Sequence, residues 1–176
     1  MKFINILSLG LICLLTACSK SDSNNKTATV WTCNTHLQYK DSIQILTLPT
    51  AFTPNGDGKN DLYRPVAQNL TNNNFLITIY KPDGKIIYQL NNYTSGWNGR
   101  DSSGTLGTDS KYGISITFTN AHGHIIDTCS ELFLLTTNTA TGCTNRTVDS
   151  SSYIFEDQID MATGEPVYRT NEVFCN

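Results

Sequence analysis

Ala51-Phe52-Thr53-Pro54-Asn55-Gly56-Asp57-Gly58-Lys59-Asn60-Asp61-Leu62-Tyr63 is the stretch from which the fold can be read. One proline, two glycines, two aspartates and two asparagines lie between apolar ends. Proline fixes φ near −65° and glycine opens positive φ, so this string must turn sharply. Asn and Asp side chains bond nearby backbone groups, so the turn can hold its own shape.

Outward from the turn the chain alternates like strands. Ile43, Ile45 and Leu46-Thr47-Leu48 run into Pro49. Downstream, Phe75-Leu76-Ile77-Thr78-Ile79-Tyr80 and Lys85-Ile86-Ile87-Tyr88-Gln89-Leu90 flank Lys81-Pro82-Asp83-Gly84. Two β-rich runs around a Pro-Asp-Gly turn form a hairpin. Tyr112-Gly113-Ile114-Ser115-Ile116-Thr117-Phe118 alternates again, and Asn120-Ala121-His122-Gly123 is a second turn. His124-Ile125-Ile126 and Glu131-Leu132-Phe133-Leu134-Leu135 complete the set. Residues 136–147 are polar and turn-rich, after which Tyr153-Ile154-Phe155 and Pro166-Val167-Tyr168 read as one more hairpin. Short strands divided by Gly, Pro and Asn, with no useful run of 3.6-residue period, predict an all-β antiparallel sandwich.

The N-terminal part reads as an address. Met1-Lys2 is positive and residues 3–15 are apolar. That run is shorter than the ~20 residues a spanning helix needs, so it is a signal peptide rather than an anchor. It ends in Leu15-Thr16-Ala17-Cys18, which resembles the lipobox of bacterial lipoproteins. The resemblance implies cleavage before Cys18, acylation of Cys18 and a membrane partner through that lipid. Residues 18–29 carry no large apolar side chain and form a polar tether. Lys20 and Asp22 resemble the short charged export signal of lipoproteins in gliding bacteria, which implies an outer-membrane lipoprotein on either of two faces, outward or periplasmic. The organisation is therefore a signal peptide over 1–17, a tether over 18–29, a sandwich over 30–135 and a C-terminal extension over 136–176.

Loss of Lys2 with the signal takes the formal charge from −3 to −4. No basic patch with interleaved aromatics is present, so nucleic acid is not an expected partner. Six cysteines divide usefully. Cys13 leaves with the signal and Cys18 takes lipid. Cys33, Cys129, Cys143 and Cys175 remain, an even number in an oxidising compartment, which predicts two disulfides and a pinned C-terminal extension. Three connectivities are open. No Cys-x-x-Cys or Cys/His spacing suits a metal.

Four segments together carry a family resemblance. They are Phe52-Thr53-Pro54-Asn55-Gly56-Asp57-Gly58-Lys59-Asn60-Asp61, Ile77-Thr78-Ile79-Tyr80, Gly84-Lys85-Ile86-Ile87-Tyr88 and Trp97-Asn98-Gly99-Arg100. In order and spacing, residues 46–135 resemble the gliding motility-associated C-terminal domain, the type B sorting domain of type IX secretion. The resemblance implies an immunoglobulin-like sandwich, an envelope or extracellular location and no catalysis. Some forty residues follow the last matching strand here, and the lipobox implies another export route.

Candidate sites follow from residue chemistry. Asn55, Asp57 and Asp61 could offer oxygens to calcium, although Thr53 and Arg64 occupy the positions where an EF-hand loop needs an acid and a bidentate Glu. The alternative is a self-bonded turn in which Asp57 caps backbone amides. His122 and His124 would share one face of a strand, short of the three ligands of catalytic zinc. Trp97 could stack on a sugar or cover the sandwich edge. No nucleophile elbow, zincin motif or phosphate loop occurs. Asp41-Ser42-Ile43 resembles a short O-glycan acceptor. The expected function is a non-catalytic envelope lipoprotein, a binding or structural module with a protein or glycan partner and no required cofactor. The alternatives are a sorting domain read by the type IX machinery and a surface glycan-binding adhesin.

Overall fold

The computed structural model describes Cys33, residues 36–136, residues 153–167 and Thr170. Among the described residues, eight strands form two sheets. They are β1 (Gln38–Lys40), β2 (Ile45–Thr47), β3 (Ala51–Phe52), β4 (Val66–Gln68), β5 (Leu76–Tyr80), β6 (Ile86–Leu90), β7 (Ser110–Thr119) and β8 (Ile125–Leu134). The small sheet has the order β1-β2-β4 and the large one β3-β8-β7-β5-β6. A 3-10 turn spans Glu156–Gln158.

Pleating explains the layers. Side chains alternate across a strand, so Tyr112, Ile114, Ile116 and Phe118 of β7 share one buried face. They meet Ile77, Ile79, Leu132 and Leu134 of the same sheet and Leu46 of the small sheet in one hydrophobic core. The expected sandwich is present, and its two long expected turns have one shape. Gly84 N donates to Lys81 O at 2.8 Å and Lys81 N to Lys85 O at 2.8 Å. Gly123 N donates to Asn120 O at 3.0 Å and Asn120 N to His124 O at 2.9 Å. Each pairs a tight turn with a glycine at φ near +80°, which restores the twist of the flanking strands.

Three expectations need correction. The sandwich is not wholly antiparallel, because β3 pairs with β8 in parallel. After β2 the chain crosses from the small sheet to the large one, so β3 enters beside β8 without a hairpin. Ile125-Ile126 and Glu131 to Leu134 are not two strands but the ends of the ten-residue β8, with His124 and Leu135 just outside it. Residues 153–167 do not form a two-stranded hairpin. They make the 3-10 turn and one antiparallel bridge, Ile159 with Pro166.

That segment covers the small sheet. Leu46 faces the core, so Ile45 and Thr47 must point the other way, yet both are buried. Gly164 lies on them. A Cβ at Gly164 would fall 2.5 Å from Ile45 Cγ2. Thr47 Oγ1 donates to Gly164 O at 2.8 Å, Gln38 Nε2 to Glu165 Oε1 at 3.0 Å and Lys40 Nζ to Thr163 O at 3.1 Å. A second apolar cluster joins Phe155 to Ala51 and Leu135.

Cys33 and Cys129 form a disulfide across a separation of 96 residues. Of the three connectivities, only the one that pairs Cys33 with Cys129 and leaves Cys143 to Cys175 is compatible with it. Cys18, Cys143 and Cys175 lie outside the described residues.

Candidate functional site

The family motif opens from β3. Phe52 is buried, with its ring 5.3 Å from Trp97 and 6.0 Å from Tyr63. Thr53, also buried, donates its amide to Asn60 O at 2.9 Å and so closes the loop. Gly56 and Gly58 sit at φ +82° and +85° with open space where a Cβ would be. Backbone angle, not crowding, requires glycine there.

The loop's polar side chains bond the loop's own amides. Asp61 Oδ1 accepts from Gly56 N at 2.6 Å and Asp61 Oδ2 from Gly58 N at 2.8 Å. Asn55 Oδ1 accepts from Asp57 N, and Asp57 Oδ1 from Lys59 N, both at 2.9 Å. The principal cap is therefore Asp61, with two amides, rather than Asp57, with one. Among the described residues, no three His, Cys, Asp or Glu side chains converge on one point. Replacing Asp61 by Ala should lower the unfolding free energy by about 1–2 kcal/mol, as losing a cap does. Asp57→Ala should cost less, and paired urea titrations would show the order.

Behind the loop, Tyr63 and Trp97 exchange backbone hydrogen bonds at 2.8 and 2.9 Å. Trp97 is fully buried and its Nε1 donates to Arg100 O at 2.7 Å. Its ring is 5.6 Å from Tyr112 and 6.2 Å from Tyr88. Trp97 packs, and offers no face to a sugar. Gly99, at φ +79°, is crowded by Pro54, Leu106 and Leu134 at 3.0–3.1 Å from a Cβ position. Burial pushes the Tyr63 phenol far up.

The histidines do not assemble. His122 lies in the turn and His124 just before β8, both exposed, with both amides on Asn120 Oδ1. His122 Nε2 is 3.9 Å from Asp41 Oδ2, a carboxylate held low chiefly by the Gln44 amide. Ser42 and Ile43 are exposed beside it.

His36 is different. Desolvation holds its imidazole below the ordinary value, against the opposing charge of Glu165. Its contribution to stability is therefore present above the unfolded value near 6.5 and is lost as pH falls through the lower folded value. Unfolding free energy should decline on acidification below about pH 6.5, and His36→Gln should flatten that decline in denaturant titrations run across pH. Glu156 has the opposite sign. Burial raises its carboxyl, so its contribution is full below the ordinary carboxylate value and is lost as pH rises through the folded value.

Sequence reading missed an open cleft of about 430 Å³ beside β4. Arg64, Val66 and Tyr93 line one side, and Glu156, Ile159 and Met161 the other. A smaller hollow of about 320 Å³ adjoins it, between Gly58, Lys59 and Asn60 of the motif loop and Asp157. Arg64 Nε lies 2.6 Å from Glu156 Oε1, and Asp157 N donates to Asn60 Oδ1 at 3.3 Å. No local motif signals these pairs, because the partners are more than ninety residues apart.

The fold and its motif define an immunoglobulin-like sandwich in which the motif string is architectural. Residues 46–127, a little under half of the chain, match the CHU_C Type IX secretion signal domain. The match takes in the motif loop, the hairpin of β5 and β6 and Trp97, and ends within β8. No curated protein matches the chain. The matched domain is a type IX secretion signal, which supports a secretion-related role at the cell envelope or surface.

Proposed function

We propose that this chain is a non-catalytic envelope module, lipid-anchored through Cys18 to the outer membrane and held off it by the polar tether. The single observation that carries the reading is the internal use of the motif. Its amides, carboxylates and aromatic rings bond and pack within the domain, so the domain serves as a stable body for presentation to an envelope partner. Cys143 and Cys175 pair with each other in this reading, since Cys33 and Cys129 are already joined. Several acyl chains hold a protein firmly, at about 0.8 kcal/mol per buried methylene. Cys18→Ala should therefore move the protein from the membrane fraction to the soluble one. Retention in the membrane fraction would remove the anchor.

The family match favours a second reading, a sorting domain handled by the type IX machinery. Export that disappears in a strain lacking that machinery would support it.

A further inference from the structure

Residues 153–167 lie outside the stretch that matches the family, yet they are built into the sandwich. They touch it in three places. At the near end, Ile154 O accepts from Thr50 N at 2.8 Å, Ile154 N donates to Thr50 Oγ1 at 2.8 Å, and Phe155 is buried. In the middle, Glu156 holds Arg64 and the Asp157 amide holds Asn60, so the segment grips the motif loop. At the far end, Gly164 lies on Ile45 and Thr47.

We propose that residues 153–167 are a cap in cis that withholds the flank of the motif loop and the outer face of the small sheet from the export apparatus. The cap also describes the partner it excludes. Glu156 puts a carboxylate on Arg64, and Gly164 puts a backbone carbonyl on the Thr47 hydroxyl with no side chain in the way. The excluded partner presents an acidic side chain to Arg64 and closely approaching backbone to the row of Ile45 and Thr47. A cap that is open about one part in a hundred lowers the apparent affinity of the face about a hundredfold. This inference rests on the sorting-domain reading and does not depend on the lipid.

The test uses the full chain. Gly164→Val places methyl groups where Ile45 Cγ2 lies and lifts the far end. Glu156→Ala removes the acceptor from Arg64 without touching the core, and keeps the test alive if Gly164→Val does not fold. Hydrogen exchange at the Ile154 and Asp157 amides reports opening. Secretion is then compared between a strain with the type IX machinery and one without it, on chains with Cys18 and with Cys18→Ala, so that failure of the anchor and failure of the cap are read separately. The expected result is faster exchange together with a severalfold rise in machinery-dependent secretion over wild type. Opened variants that are secreted no more than wild type would overturn the cap. So would a wild-type chain already secreted as fully as the variants, or exchange that neither substitution alters.

Discussion

Trp97→Ala should lower the unfolding free energy by about 3–5 kcal/mol, the usual cost of truncating a fully buried large aromatic. That is a large part of the 5–15 kcal/mol typical of a domain. Trp97 is fully buried and its ring meets Phe52, Tyr88 and Tyr112. Removal leaves a cavity that this rigid cluster cannot fill by small shifts, and it strips the Arg100 carbonyl of the indole N–H. It also weakens the bridge with Tyr63, the inner end of the motif loop. Trp97→Phe keeps most of the ring and loses the hydrogen bond, so it should fall between wild type and Ala. Urea unfolding of the three proteins would show this order. A loss below about 1 kcal/mol for Trp97→Ala, the scale of a peripheral site, would contradict the cluster's role.

Joint replacement of Cys33 and Cys129 by Ser should cost nearly as much. Their bridge closes a loop across 96 residues. In the chain-entropy account a loop of about 100 residues is worth roughly 4.7 kcal/mol, because the open chain regains freedom when unfolded. Both cysteines are changed together so that no free thiol is left to form other bonds. Thr50, Tyr112 and Trp97 lie within the looped region and should keep their contacts, so the native fold should be retained at a lower denaturation midpoint. The urea midpoint should fall while the far-ultraviolet circular dichroism of the native state stays as it is. An unchanged midpoint would show that the bridge does not constrain the unfolded chain.

Local turn chemistry made part of this fold readable. Pro82, Asp83 and Gly84 announce the hairpin of β5 and β6, and Asn120 with Gly123 announce the turn into β8, since each residue acts through its own φ or its own side chain. Strands β1, β3 and β4 were not readable. They have three, two and three residues, too few for alternation to register, and β3 owes its place to parallel pairing with distant β8. The motif loop was legible as a self-bonded turn, but the choice of Asp61 over Asp57 as main cap depends on the backbone angles at Gly56 and Gly58. Residues 153–167 read as a local hairpin because Tyr153, Phe155 and Val167 look like strand residues. Their actual neighbours, Thr50, Arg64 and Thr47, lie about a hundred positions upstream, and no local pattern records such a pairing.

The central claim is that the motif loop holds itself together through its own side chains and amides. Titration of calcium into the folded protein by isothermal calorimetry tests this most directly. The account predicts no saturable heat through the range of about 10⁻⁴–10⁻³ M in which extracellular calcium modules bind, and the same flat trace for Asp61→Asn. A saturable one-to-one heat in wild type that vanishes in Asp61→Asn would contradict it.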